Sequence, residues 1–378
     1  MQLNEEYDVA IIGGGVAGLA ASIQLARCGH SVVLFEKEKY PFHKVCGEYI
    51  SLESLDFLNQ LGLPLREMNL PFIDTLFLSA PNAKFFQTKL PLGGFGLSRY
   101  QLDFLLANIA KQSGVHVFEE TKVDNIIFDE SFHISIHSKK IKAKTCCAAY
   151  GKRSNLDIKW KRKFLEAADK RLDNYVGIKY HVKTNWKTNV IGLHNFDNGY
   201  CGISKIEEDK YCLCYMTKAE NLKNCNNNIE QLEETVLYRN PHLKKIFLNS
   251  EKCYSSPVTI SQINFNKKTQ LENHVLMLGD SAGMITPLCG NGMSMALHSS
   301  KIATALIHDF LQKKISRPQL EELYIKQWAH QFSKRLYTGR MLQRFFGGVR
   351  RSNLFVETFI LFPFLANPVI KMTHGKPF

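Results

Sequence analysis

The chain has 378 residues, 45% apolar and 22% charged, with a net charge of +13. That length is too great for one simple core and suits two interleaved domains, and the composition excludes a disordered or low-complexity chain. The basic residues are scattered, with small clusters at Lys159–Lys163 and Arg350–Arg351. No basic stripe with interleaved aromatics stands out, which argues against nucleic acid. A solvated basic surface is expected, with an anionic membrane surface or an acidic substrate as the alternative.

The cysteines at 28, 46, 146, 147, 201, 212, 214, 225, 253 and 289 form no CxxC pair and no Cys/His ligand spacing. Reduced, mostly buried thiols in a cytosolic protein are the expectation. His181, His194 and His298 show no metal-ligand spacing either, so no metal is expected. The first strand begins within ten residues of Met1, which leaves no room for a signal peptide.

Val9-Ala10-Ile11-Ile12 reads as a buried strand. A helix through Leu19, Ile23 and Leu25 follows the glycines, and Gly29 ends it. Ser31 to Phe35 is the second strand of a βαβ opening. Ser98 is placed to cap a helix carrying Leu102, Leu105, Leu106 and Ile109, and Gly114 stops it. Val115 to Phe118 reads as a strand, and Val123–Phe128, Phe132–Ile136 and Ile141–Ala148 read as a β-meander. From Tyr175 to Thr217 strand-like alternation dominates, with turns at Asp197-Asn198-Gly199 and Glu207-Glu208-Asp209. His274 to Leu278 returns to a buried strand, and Met293–Leu311 and Leu320–Phe345 are helical. The apolar run Leu354–Leu365 holds Glu357 and Pro363 and falls short of the ~20 residues that span a bilayer. A buried closing helix is expected there, with shallow contact with a membrane as the alternative.

Gly13-Gly14-Gly15-Val16-Ala17-Gly18 is a GxGxxG between a strand and a helix. Gly13 permits the tight turn, Gly15 lets the backbone approach a pyrophosphate, and Gly18 lets the helix pack on the sheet. The anion would sit on free N–H groups at the positive helix end. Glu36 ends the second strand, where a carboxylate accepts from a ribose diol.

Leu278-Gly279-Asp280-Ser281-Ala282-Gly283-Met284-Ile285-Thr286-Pro287-Leu288-Cys289-Gly290-Asn291-Gly292 resembles the GD motif of flavoproteins with the para-hydroxybenzoate hydroxylase fold. That group holds single-component aromatic monooxygenases and geranylgeranyl reductases, and the resemblance covers nearly the whole chain. It implies an α/β fold: a Rossmann-like FAD-binding domain, βαβ with a three-layer ββα sandwich, an inserted β-sheet substrate domain and C-terminal helices. The FAD-binding domain would occupy 1–72, 96–156 and 269–315. The substrate domain would occupy 73–95 and 157–268, and a C-terminal helical region 316–378. The resemblance places Asp280, after Gly279, at the FAD ribityl chain. Pro287, Gly290, Asn291 and Gly292 would bring a helix N-terminus to the flavin pyrimidine ring, and Arg99 would lie beside FAD. Ala17, Lys37 and Val123 join the expected FAD contacts. Cys46, Gly47 and Tyr200 are candidates for the pocket at the isoalloxazine.

Three departures bear on function. Tyr150 replaces the Asp of the family's Ala-Asp-Gly motif in Ala149-Tyr150-Gly151, which puts the usual NADPH mode in doubt. Gly199-Tyr200-Cys201-Gly202-Ile203-Ser204-Lys205 lacks the Trp and Phe-Pro of the reductases' Tyr-x-Trp-x-Phe-Pro segment. The halogenases' Trp-x-Trp-x-Ile-Pro segment is absent, with the tryptophans alone at 160, 186 and 328. The resemblance implies an FAD monooxygenase that hydroxylates a hydrophobic phenolic, polyketide or lipid-like molecule through a flavin C4a-hydroperoxide. The alternatives are a geranylgeranyl-reductase-like ene reductase of an isoprenoid or lipid double bond, a flavin-dependent halogenase, and a non-catalytic binding protein of the flavin fold. NAD(P)H is the expected transient electron donor, with a separate reductase as the alternative partner.

Overall fold

The computed structural model describes residues 4–137, 139–166, 174–286, 290–345 and 348–378. In chain order the first elements are β1 (Glu6–Ile12), α1 (Val16–Arg27), β2 (Val32–Phe35), β3 (Tyr49–Ser51), α2 (Leu55–Gln60), β4 (Phe72–Ser79), β5 (Phe85–Gly96) and α3 (Arg99–Gln112). There follow β6 (His116–Phe118), β7 (Asn125–Asp129), β8 (Ser131–Ile136), β9 (Lys139–Ala148), α4 (Asn155–Lys159), β10 (Tyr175–Lys183), β11 (Val190–Phe196), β12 (Gly199–Lys205) and β13 (Tyr211–Lys218). Then come α5 (Ala219–Asn224), α6 (Ile229–Thr235), α7 (Pro241–Leu248), β14 (Glu251–Lys252), β15 (Val258–Ile263), β16 (Leu271–Glu272) and β17 (Val275–Met277). The chain closes with α8 (Gly292–Leu311), α9 (Arg317–Phe345), α10 (Val349–Leu361) and α11 (Ala366–Thr373).

The apolar opening strand is the middle of the first sheet, ordered β16-β17-β9-β1-β2-β6. Its central pairings are parallel, and each strand of the pair β1–β2 is buried along the paired stretch. Strands buried on both faces read as continuous apolar runs rather than alternations. The meander β7-β8-β9 joins this sheet antiparallel, which with α1, α3 and α8 makes the expected βαβ and ββα layers. Ser98 caps α3, its Oγ accepting from the Gln101 N–H.

The second sheet is ordered β14-β10-β13-β12-β11-β4-β5-β3, with β15 also on β10. It is antiparallel except where β11 runs parallel to β4. Its two faces serve different cores. One packs on α5–α7 around Leu213, Tyr215 and Leu232, and the other meets the C-terminal helices around Phe265, Val356 and Phe359. Tyr49–Ser51, inside the stretch expected to belong wholly to the FAD-binding part, pairs with β5 and so lies in the second sheet. That pairing carries the segment from the dinucleotide loop directly onto the wall between the two sheets.

The C-terminal run differs from the expected buried helix. Ser352, Val356 and Phe359 of α10 are buried, but Leu354 is 64% exposed and Leu361 72%. A helix presents one stripe to the sheet, and this one is apolar on more of its circumference than the sheet covers. No single helix among the described residues is long and apolar enough to cross a membrane.

Candidate active site

The cleft begins where β1 ends. Gly13 lies at φ +106°, and a Cβ there would come within 2.6 Å of the Ala149 and Tyr150 backbone. A Cβ on Gly18 would overlap the Gly13 carbonyl oxygen, so α1 can approach the strand only with glycine there. Gly15 is different: nothing crowds it closer than the Arg99 guanidinium at 3.5 Å and the Lys44 ammonium at 3.8 Å. The room is on the side where an anion would sit. Gly15 is also the N-cap of α1, no side chain caps that helix, and its first turn holds no acid. Its first N–H groups are left to a ligand, and Gly15, Val16 and Ala17 line the cavity they open on.

Glu36 is buried and accepts from the Gly14 N–H at 2.9 Å and the Glu38 N–H at 3.1 Å. Its carboxylate thereby ties the end of β2 to the glycine loop. Gly14 matters too, which the GxGxxG pattern does not say: Tyr40 donates its hydroxyl to the Gly14 carbonyl at 2.5 Å, and a Cβ on Gly14 would overlap that hydroxyl. Glu36 lines a cavity of about 600 Å³ together with Gly13, Lys37, Val123 and Tyr150. The Lys37 side chain is 70% exposed at its rim. A second cavity, about 190 Å³, lies past the loop and holds Gly15, Ala17, Arg99, Gly279, Asp280, Gly290 and Gly292. Lys152 lines both. The two cavities flank the glycine loop as the adenosine and flavin ends of one dinucleotide would. An open helix end, adjacent cations and a buried acid at the end of β2 fit FAD.

The cations at the loop are held by a carboxylate that the motifs do not reveal. Arg99 donates to Asp103 with Nε at 2.8 Å and Nη2 at 2.7 Å, and the Lys44 ammonium lies 3.0 Å from the same carboxylate. Burial alone would push Asp103 up, but Arg99 and Lys44 outweigh it and hold the carboxyl below its usual range. Asp103 stays ionised and fixes both cations, an arrangement whose only sequence trace is the Arg99–Asp103 spacing of one helical turn.

Cys46, Gly47 and Tyr200, expected at the isoalloxazine, all line the smaller cavity. Glu48 lies between Gly47 and Tyr49 in the left-handed region, at φ 55°. It is fully buried, and its carboxylate accepts from Lys179 Nζ at 2.7 Å, from the Arg99 backbone N–H at 2.9 Å, and contacts His181 Nε2 at 2.6 Å. Burial opposes its ionisation, but Lys179 and His181 bring it down to about 2. These partners set the path of the Gly47–Tyr49 backbone past the cavity. Tyr49 lines the cavity, and its hydroxyl is buried with no hydrogen-bond partner among the described residues.

At the opposite wall, the Gly279 N–H donates to Ser299 Oγ at 3.0 Å. Lys268 donates to the carbonyls of Lys152 and Asp280, both at 2.9 Å, and burial pushes its ammonium down to about 8. Gly290 and Gly292 border the cavity at the start of α8, which no side chain caps. Between them, the Asn291 side chain is buried and donates to the Thr373 carbonyl at 2.8 Å, so it holds α11. Pro287 lies outside the described residues.

Tyr150, where the family has Asp, donates its hydroxyl to Asp157 Oδ1 at 2.5 Å. Asp157 pairs with buried Arg162 at 2.9 Å, and Arg162 also donates to the Ser281 carbonyl at 3.0 Å. A carboxylate is thus present next to the motif, supplied seven residues later and joined to the loop that carries Asp280.

The model of the FAD dependent oxidoreductase family matches residues 8–44, and that of squalene epoxidase residues 202–333. Over 375 residues the chain is 26% identical to conditioned medium factor receptor 1 of Dictyostelium discoideum, covering 90% of this chain and 71% of that one. It is 20% identical to digeranylgeranylglycerophospholipid reductase of Methanococcus vannielii, over 89% of this chain and 84% of that one. A triple mutant of the flavin-dependent brominase Bmp2 superimposes with a TM-score of 0.79 at 18% identity, covering 97% of this chain and 94% of that chain. The fold is that of flavin-dependent oxidoreductases, and FAD is the cofactor.

Proposed function

We propose that this FAD-dependent oxidoreductase is a monooxygenase that hydroxylates the ring of a phenolic substrate bearing a hydrophobic tail. The observation that carries the reading is the continuation of the flavin-side cavity. A further cavity of about 90 Å³ shares Tyr49, Ile191, Leu193 and Gly290 with it. From there it runs between the second sheet and the C-terminal helices, walled by Leu76, Leu78, Phe86, Phe355, Phe359 and Val369. A substrate with one polar end and one long apolar end fits such a space. The Tyr49 hydroxyl, buried and unpartnered at the junction, would hydrogen-bond the substrate's phenol oxygen and stop the ring beside the flavin end of the cleft.

FAD, when bound and reduced, supplies the activation of dioxygen, with one oxygen atom entering the product, the other leaving as water, and two electrons coming from NAD(P)H or a separate reductase. The chain's own task is to bind, orient and dry. Gly15 to Ala17 and the paired Arg99 and Lys44 would hold the pyrophosphate, and Glu36 the ribose. The uncapped start of α8 faces its positive end to the flavin side of the cavity, where negative charge is favoured. Leu193, Met216 and Met284 make a wall without polar side chains, which excludes water from the reacting ring.

Incubation with long-chain phenols and isotopically labelled dioxygen tests the proposal: labelled oxygen in the product is expected. Reduction of a substrate double bond under strict anaerobiosis would replace it with the ene-reductase reading. Cys46 beside the cavity and the likeness to the Methanococcus reductase favour that second reading. A product formed only with halide would replace it with the halogenase reading.

A further inference from the structure

We propose that the corner between α10 and α11 docks the protein on an anionic phospholipid surface. Ile360, Leu361, Phe362, Pro363, Phe364 and Leu365 are consecutive, apolar and exposed, with Leu361 at 72% and Phe364 at 71%. Side chains of this size in an unbroken run seldom face water without a partner. They sit at a bend of 105° between the two helices, so they form a projecting tip. The 13 residues of α10 and 8 of α11 reach only about 20 Å and 12 Å at the helical rise, short of the ~30 Å hydrocarbon core. A corner of this kind enters the boundary between headgroups and acyl chains and does not cross.

The tip is not a loose tail. Val356, Phe359 and Ala366 on the same helices are buried against the second sheet, so the exposed residues are held in place from beneath. The charge around them has one sign. Residues 330–378 contain eight Lys and Arg and a single acid, Glu357, which pairs with Lys84 at 2.9 Å. Arg344, Arg350, Arg351, Lys371 and Lys376 are exposed. This distribution selects the occupant. A protein partner's footprint carries a polar rim of mixed sign. A second copy docked two-fold on this face would set its cations against their own equivalents. An anionic lipid surface meets both the apolar tip and the cations around it.

The inner faces of α10 and α11 also wall the apolar tunnel, through Phe355, Phe359, Val369 and Ile370. Docking would place that tunnel beside the lipid, so that a lipophilic substrate reaches the cleft without crossing water. Only this last consequence rests on the proposed function; the docking does not.

Flotation of the FAD-loaded protein with vesicles tests the docking without reference to turnover. With equal parts phosphatidylcholine and phosphatidylglycerol at low salt, the protein should float with the vesicles. With phosphatidylcholine alone it should do so much less. The double variant Leu361→Asp/Phe364→Asp should lose at least about tenfold in partitioning, since both side chains leave the acyl boundary. Arg350→Glu/Arg351→Glu should lose several-fold and abolish the preference for phosphatidylglycerol. Flavin absorbance and melting temperature verify that the variants are folded. Wild-type protein that stays with the buffer, or variants that float as wild type does, overturn the proposal. So does a dimer in solution that Leu361→Asp/Phe364→Asp converts to a monomer, which would make the face an interface between copies.

Discussion

The two ends of the cleft are built by opposite means. Around the glycine loop, buried charges are paired: Asp103 with Arg99 and Lys44, Glu48 with Lys179 and His181, Arg162 with Asp157. Along the tunnel the walls are mostly apolar, and of the two buried hydroxyls among its lining residues, Thr373 is hydrogen-bonded while Tyr49 is unanswered among the described residues. A cofactor that stays can be met by preorganised charge, because the ions are fixed before it binds. A substrate that comes and goes is met by shape, with a single polar group left for it to satisfy.

The largest losses are expected at the loop end. Gly18→Val puts a branched side chain where even a Cβ would overlap the Gly13 carbonyl. We expect a cost above about 4 kcal/mol and protein that purifies colourless or insoluble. A yellow, normally melting Gly18→Val would break the argument for close strand–helix contact. Next is Glu48→Gln, which leaves Lys179 buried and unpaired, at a cost of roughly 3–5 kcal/mol read by denaturant titration. The pH dependence has a definite sign. Glu48 is depressed from 4.5 to about 2 in the folded chain. Its stabilisation is therefore present above pH ~4.5 and lost as pH falls from there through about 2. The gap between wild type and Glu48→Gln should close across that window; a gap that widens on acidification would show that Glu48 is not held ionised by its partners. Glu36→Ala should weaken FAD by roughly 1.5–3 kcal/mol, or about ten- to a hundred-and-fifty-fold in Kd, in titrations of apoprotein. Unchanged affinity would remove the ribose role.

The sequence shows the loop end far better than the tunnel end, for a physical reason. Turns and close approaches leave local marks, as Gly13, Gly18 and the Ser98 cap do, and an acid at a strand end is legible as Glu36 was. Buried ion pairs leave marks far apart: Lys179 is 131 residues from Glu48, and with His181 it alternates along β10 as a solvent-facing polar row would. Nothing local says that this row meets the Gly47–Tyr49 segment instead of water. The Leu354–Leu365 run misleads for the converse reason. Hydrophobicity reports what a residue avoids, and a protein core and a lipid surface avoid water alike. Tyr150 shows a third limit, since the carboxylate missing from its position returns as Asp157 through a hydrogen bond between side chains.

The smallest effect is the sharpest test of the substrate end. Tyr49→Phe removes one oxygen atom from a ring that Gly94 and Gly290 leave space for, a Cβ on either coming within 3.1 Å of that ring. Because the hydroxyl has no partner among the described residues, its loss should leave stability unchanged or raise it by up to about 1 kcal/mol. A hydroxyl that served the fold would instead lower the melting temperature. In turnover the same substitution should raise KM for a phenolic substrate about five- to tenfold, the worth of one neutral hydrogen bond, while the methyl ether of that phenol should be affected less. Equal kinetics for Tyr49→Phe and wild type would detach Tyr49 from the substrate. The unanswered hydroxyl would then no longer separate a substrate end that waits for its partner from a cofactor end that already holds its own.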